Sequence, residues 1–261
     1  MSNKLSRIAK MVAAEKVNEP AINFVDKFTH IIENTQEPYT PSTYYKPSGV
    51  GGCLRKMYFE RTGQALQDNA SYNLIAMGEA GTFRHEVLQE YMVRLSKTDP
   101  DFEWLDVAEY LEENPVEGTI VDKDFVKNDY ETKCKNELLQ LSFLCDGLVR
   151  WQGKTYIMEI KTETMFKFNK HTEPYEEHKM QATCYGMCLG VDDVLFLYEN
   201  RDNFEKKAYT YHITDAMKEQ VLDKLVTCEE YVERGESPKI YCSSNYCPYC
   251  RKEGRLSLIH I

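Results

Sequence analysis

Residues 138–163 read LLQLSFLCDGLVRWQGKTYIMEIKTE. Two strand-like runs meet at Gln152-Gly153, and a two-residue loop there predicts an antiparallel hairpin in which Asp146 lies directly across from Glu159. Glu159 and Lys161 are two apart, so the pleat puts both on one face while Tyr156, Met158 and Ile160 point to the other. The apolar flanks Phe143, Leu144, Leu148, Val149, Ile157 and Ile160 make this a central hairpin rather than a solvated ribbon.

Directly opposed residues in an antiparallel pair have Cβ atoms roughly 4.5–5.5 Å apart, and like charges placed there destabilise a sheet. A divalent cation would offset the repulsion between Asp146 and Glu159. Mg²⁺ characteristically takes one or two protein carboxylates together with phosphate oxygens and water. Lys161 adds a point charge beside them. The set predicts metal-dependent phosphodiester hydrolysis, with Mg²⁺ or Mn²⁺ lowering the pKa of water and stabilising developing charge. The plain alternative is two exposed acids on an ordinary hairpin. On the cation reading, Asp146→Asn leaves the metal-free protein no less stable.

The chain has 261 residues, and no compositional break divides it. One domain is expected over 1–255: an N-terminal helical region and Pro-rich connection over 1–47, a core over 48–240, and a cysteine-bearing segment over 241–255. The start, MSNKLSRIAKMVAAEKVNEP, lacks the apolar core of a signal peptide, and no run approaches the ~18 apolar residues of a membrane span. A cytoplasmic protein is expected, with no membrane partner.

Nine cysteines without a secretory signal argue for thiols or metal ligands rather than a disulfide framework. Cys134, Cys145, Cys184, Cys188 and Cys228 sit in strand or helix patterns and are expected to pack as small apolar residues. A net charge of −10 weighs against a nucleic-acid partner. Much of that acid is local, however, between Asp99 and Glu117, while basic residues gather at Arg55, Lys56 and Arg61 and at Lys161, Lys167, Lys170 and Lys179. A DNA groove of modest, salt-sensitive affinity fits that distribution.

Residues 4–35 read as helical, and Pro38, Pro41 and Pro47 then halt regular structure. SGVGGCLRKMYFERTG, from Ser48, reads as a glycine turn into a short helix. A longer helix is predicted over about 71–95, with Ile75, Phe83, Val87, Leu88, Tyr91 and Met92 as its apolar stripe and His85 upon it. Strands are expected near 119–126, 193–199 and 207–213, with helices over 173–189 and 215–234, the last ended by Gly235 and Pro238. The order gives a mixed α/β fold with a central mixed sheet flanked by helices.

Five ordered pieces carry a family resemblance: Cys53-Leu-Arg-Lys-Met-Tyr58, Gly78 through His85-Glu86, Asp146, Glu159-Ile-Lys161, and Gln181-Ala-Thr-Cys-Tyr185, followed by three closing cysteines. Together, over roughly residues 48–250, they resemble the RecB-like branch of the PD-(D/E)XK nucleases, in particular the iron–sulfur nucleases of phages and the CRISPR-associated spacer-processing nucleases. Leu144-Cys145 stand where the superfamily's name has its proline. The resemblance implies a restriction-endonuclease-like core. It makes His85 a metal ligand beside Asp146, Glu159 and the Ile160 carbonyl, and it makes Gln181 and Tyr185, one helical turn apart, positioners of substrate near Lys161. Without it, His85 reads as an ordinary core or surface histidine, and Gln181 and Tyr185 as helix decoration.

Cys242, Cys247 and Cys250 have C-x₄-C-x₂-C spacing, which suits iron–sulfur ligation and lies near zinc spacings. Three ligands are one short, and Cys53 is the expected fourth, where the resembling nucleases place their first cluster cysteine. A 4Fe-4S cluster is therefore expected, with Zn²⁺ as the rival. Leu256 to Ile261, LSLIHI, back-translate to a transposon end used as a sequencing adapter, so this tail is expected to be a non-native scar.

The expected activity is that of a metal-dependent DNA nuclease, an exonuclease at single-stranded or duplex ends, in phage or prokaryotic recombination, repair or DNA processing. Spacer processing with CRISPR adaptation proteins, or a non-catalytic nucleic-acid-binding module on the same fold, are the alternatives.

Overall fold

The structure, a computed structural model, describes residues 4, 7, 23–36, 42–65, 70–127, 130–239, 242 and 247–250. The scar expected at 256–261 and most of the helical region expected before residue 23 lie outside the described residues. Those described fall into two compact units, one of residues 23–36 with 70–76 and one of 42–65 with 77–250. In the first, helix α1 (Phe24–Asn34) is joined to the next helical segment by the Tyr72 N–H, which donates to Glu33 Oε1 at 2.7 Å, and by an edge-on contact of Phe28 with Tyr72.

The second unit is built on a five-stranded sheet. Its strands are β1 (Phe102–Leu105), β5 (Gly147–Trp151), β6 (Lys154–Glu163), β7 (Asp193–Asn200) and β8 (Lys206–His212), in spatial order β1-β5-β6-β7-β8. All neighbours are antiparallel except β6 and β7, so the sheet is mixed and β6 is its middle strand. A smaller antiparallel sheet holds β2 (Thr119–Lys127), β3 (Glu131–Asn136) and β4 (Leu141–Cys145).

The β5–β6 register pairs Trp151 with Lys154 and Gly147 with Met158. Gln152 and Gly153 both have positive φ, 51° and 79°, the conformation that matches a two-residue hairpin loop to strand twist. The run before the loop is not one strand, however. Cys145 pairs with Thr132 in the small sheet and Gly147 with Met158 in the large one, so the chain changes sheets at Asp146. Gly147 permits the crossing, because a Cβ there would lie 2.4 Å from the Trp104 ring.

One face of the large sheet, with Leu148, Ile157, Val194, Phe196 and Tyr198, packs under α7 (Glu176–Leu189) and α8 (Asp215–Arg234) in the main core. The five cysteines Cys134, Cys145, Cys184, Cys188 and Cys228 are fully buried. Helix α7 begins at Glu176 rather than 173, since Pro174 biases Glu173 away from helical backbone. Ahead of it in the chain, α2 (Pro47–Val50) and α3 (Leu54–Arg61) lead through Gly51, whose Cβ would come within 2.8 Å of Glu177 Cα. Only a glycine lets that turn approach α7.

The opposite face carries Val149, Met158 and Ile160 against α4 (Tyr72–Ser96). The stripe expected on α4 is corrected: only Leu88, Gln89 and Met92 are buried, while Phe83 is 65% and Tyr91 49% exposed. Periodicity marks a helix's apolar side but not how much sheet lies beneath it. Within the acidic stretch the structure also forms β1 and α5 (Val107–Glu113), the latter capped by Asp106, which accepts from the Glu109 N–H. Two short elements remain: α6 (Met165–Phe168), directly after β6, and the β7–β8 turn.

Candidate active site and cysteine centre

The middle strand and two helices supply the first group of side chains. Glu159 and Lys161 come from β6, Asp146 from the junction of β4 and β5, His85 from α4, and Gln181 and Tyr185 from α7. Asp146 Oδ2 accepts from the Ile160 N–H at 2.9 Å, and Oδ1 lies 3.7 Å from His85 Nδ1. Lys161 Nζ donates to Gln181 Oε1 at 3.0 Å, and Gln181 Nε2 donates to the Tyr185 hydroxyl at 2.7 Å. The structure thus joins His85 to Asp146, and Glu159 to Lys161, Gln181 and Tyr185.

The two carboxylates are held differently. Burial opposes ionisation of Asp146, but His85, Lys161 and the Ile160 N–H outweigh it and keep the carboxyl below its ordinary range. His85 is raised in turn, Asp146 overcoming the effect of burial. Glu159 is 1% exposed, and burial, with Asp146 adding its charge, pushes it up to about 7 despite Lys161. Lys161 Nζ forms an ion pair with Glu159 Oε1 at 2.5 Å, while Glu159 Oε2 is buried with no hydrogen-bond donor. Burial works against the Lys161 ammonium too, and Glu159 and Asp146 more than restore it.

Buried carboxylate oxygens without donors are costly, and a cation is one of the few partners that satisfies them. The residues present therefore fit a divalent ion. His85, Asp146 and Glu159 are nonetheless less tightly gathered than the cysteines described below.

Gln89, one helical turn beyond His85, is fully buried and donates from Nε2 to the Asp146 carbonyl at 2.8 Å, which fixes α4 to the junction. A polar residue four positions from a candidate ligand, on the side of the helix turned to the core, was the available signal. Arg84 forms a two-pronged ion pair with Glu199, which is fully buried and also meets Lys206 Nζ at 3.0 Å.

At the far end of the same core, Cys53, Cys242, Cys247 and Cys250 converge with all four Sγ atoms within 4.8 Å of one another. They are the only set of three or more His, Cys, Asp or Glu ligand atoms so close together among the described residues. Cys53 caps α3 from its N-terminal side, and its Sγ lies 3.3 Å from that of Cys250. Burial disfavours its thiolate, yet the Lys56 N–H and the neighbouring thiols bring it below the usual thiol range; burial pushes Cys247 up and Cys250 up to about 12. Tyr249, stacked on Phe59, seats the loop on the core. Four converging thiols can bind a metal.

No protein-family model and no curated protein matches the chain. Among solved structures it is similar to an alkaline exonuclease, LHK-Exo, from Laribacter hongkongensis, at 18% identity over 75% of this chain and 94% of that one, with a TM-score of 0.41. The same exonuclease in complex with dAMP gives 18% identity over 74% and 92%, with a TM-score of 0.42. A protein designated SSO0001 gives 14% over 78% and 82%, with a TM-score of 0.38. Likenesses this weak add nothing to the chemistry read from the chain's own residues. No helix among the described residues is long and apolar enough to cross a membrane.

Proposed function

We propose that this chain is a metal-dependent DNA nuclease, an exonuclease hydrolysing phosphodiester bonds at single-stranded or duplex ends in the cytoplasm. The observation that carries the reading is the buried Glu159, ion-paired with a charged Lys161 through one oxygen and without a donor on the other, next to an ionised Asp146. Asp146, Glu159, His85 and the Ile160 carbonyl would hold Mg²⁺ or Mn²⁺, which when bound supplies Lewis acidity and lowers the pKa of water.

The protein's own groups do the remaining work. Lys161 keeps its proton and offers positive charge where a phosphate gains negative charge. Gln181 holds the Lys161 ammonium, and Tyr185 holds Gln181. His85 and the Ile160 N–H keep Asp146 ionised and aimed. Gln89 keeps α4, and with it His85, in place.

The test is end-labelled linear and circular DNA incubated with the protein and Mg²⁺, Mn²⁺ or chelator. Linear DNA should be degraded only with metal, and Asp146→Ala, Glu159→Ala and Lys161→Ala should each abolish cleavage while far-UV circular dichroism is unchanged. Metal-dependent turnover surviving in all three would overturn the site.

The four cysteines form a structural centre closing the domain. The resemblance supports a 4Fe-4S cluster. The sulfur spacing supports the rival, because tetrahedral Zn²⁺ at about 2.3 Å from each sulfur separates them by about 3.8 Å, whereas a four-iron core would spread them further. Anaerobic purification with metal analysis decides between a brown iron protein and a colourless zinc one.

A further inference from the structure

Two exposed rings beyond the end of β6 serve neither the core nor the hydrolytic group. Phe166, in α6, is 69% exposed, and the Lys170 ammonium lies 3.8 Å from its ring centroid. In the adjacent β7–β8 turn, Phe204 is 59% exposed, with the Arg84 guanidinium 5.3 Å from its ring. The two loops are tied together: the Met165 N–H donates to Asp202 Oδ2 at 2.7 Å and the Arg201 N–H to the Glu163 carbonyl at 2.8 Å.

Phe204 also has φ 64°, left-handed backbone that Gly or Asn adopts readily and a bulky side chain does not. Its ring is thus kept in solvent on unfavourable backbone, a combination that packing does not account for.

The charge of this edge is positive although the chain is acidic overall. Burial first, and then the charges of Lys161 and Lys167, disfavour protonation of His178, and Lys170 follows one turn after Lys167, its N–H donating to the Lys167 carbonyl at 3.0 Å. Of the acids around these loops, Glu199 is paired with Arg84 and Lys206 and Glu163 with His171, Asp202 accepts from the Met165 N–H, and Glu205 beside Phe204 is exposed. Glu177 is the acid left exposed near Lys161.

We propose that Phe166 with Lys170, and Phe204 with Arg84, form a stacking surface for the unpaired bases of a single DNA strand whose backbone leads to Lys161. Aromatic faces accept any base, and Lys170 beside Phe166 supplies a cation for the phosphates, Arg84 being held by Glu199. The identity of the ligand rests on the nuclease reading.

The test measures binding of a fluorescein-labelled oligothymidylate to the full chain in chelator by anisotropy. Phe166→Ala should weaken binding about 5- to 150-fold with an unchanged Tm, Phe166→Tyr should restore it, and an abasic strand should bind the parent as weakly as the intact strand binds Phe166→Ala. Phe204→Asn, which suits the left-handed backbone, should hold or raise Tm while weakening binding. Absent binding of the oligonucleotide by the parent, equal affinity of parent and Phe166→Ala, or indifference to base removal would overturn the proposal. Metal-dependent cleavage of duplex DNA reports separately on the nuclease reading: cleavage without base-dependent binding removes only the stacking surface, and base-dependent binding without cleavage removes only the hydrolysis.

Discussion

Replacing Glu159 by glutamine should stabilise the metal-free protein at alkaline pH and do little at acid pH. Burial, with the charge of Asp146, carries this carboxyl from the ordinary 4.5 to about 7. A folded-state value above the unfolded one means that folding favours the neutral acid, so the contribution is complete below about pH 4.5 and is lost as pH rises through about 7. At about 1.4 kcal/mol per pH unit, ionised Glu159 costs roughly 3 kcal/mol once the pH is well above 7. Glutamine reproduces the neutral form's shape and leaves Lys161 its contact with Gln181. Urea unfolding in chelator should therefore place the variant roughly 3 kcal/mol above the parent at about pH 8, with the two converging near pH 4. Added Mg²⁺ should raise the parent's Tm and leave the variant's unchanged, since only the parent keeps the ligand. Parallel pH curves, or a variant less stable than the parent at about pH 8, would refute the claim that the buried strain resides on Glu159.

Asp146→Asn should behave in the opposite sense, destabilising the chelated protein by about 1.5–3 kcal/mol at neutral pH, because His85 and the Ile160 N–H favour its ionised form. That loss should fade as the pH falls through the depressed carboxyl range, which pH-dependent unfolding would show. Cys53→Ser should lower bound metal and soluble yield together, measured by metal analysis of matched preparations, because the centre joins residue 53 to the 242–250 loop. Gly51→Ala should cost about 1–3 kcal/mol by driving a methyl into the α7 backbone, read as a lower urea midpoint at unchanged slope.

The hairpin register was legible because a two-residue loop leaves one pairing, and Gln152-Gly153 has the positive φ angles such a loop needs. The five packing cysteines were legible because each sits inside a strand or helix pattern. The sheet change at Asp146 was not, since strand-like sequence runs through residues 141–151 and cannot say that Cys145 and Gly147 pair with different sheets. Nor did opposed carboxylates reveal which would be stressed. Placing Asp146 across from Glu159 treats them alike, whereas the Ile160 N–H and His85 go to one and leave the other only Lys161. The expectation that Asp146→Asn would be harmless without metal falls for that reason. Gln89 and the exposed Phe83 and Tyr91 depend on where α4 meets the sheet, which helical periodicity does not contain.

Because a single residue separates a strand of the small sheet from a strand of the large one, the direction of the Asp146 carboxylate is set by two hydrogen-bonded frames at once. A change of side-chain volume behind β3, for instance at the fully buried Cys134, would tilt one frame against the other and turn the carboxylate without touching it. On the proposed nuclease reading, rate and ion preference would then be adjustable in small steps from a remote layer. A mutational library aimed at tuning the proposed activity rather than destroying it would begin there.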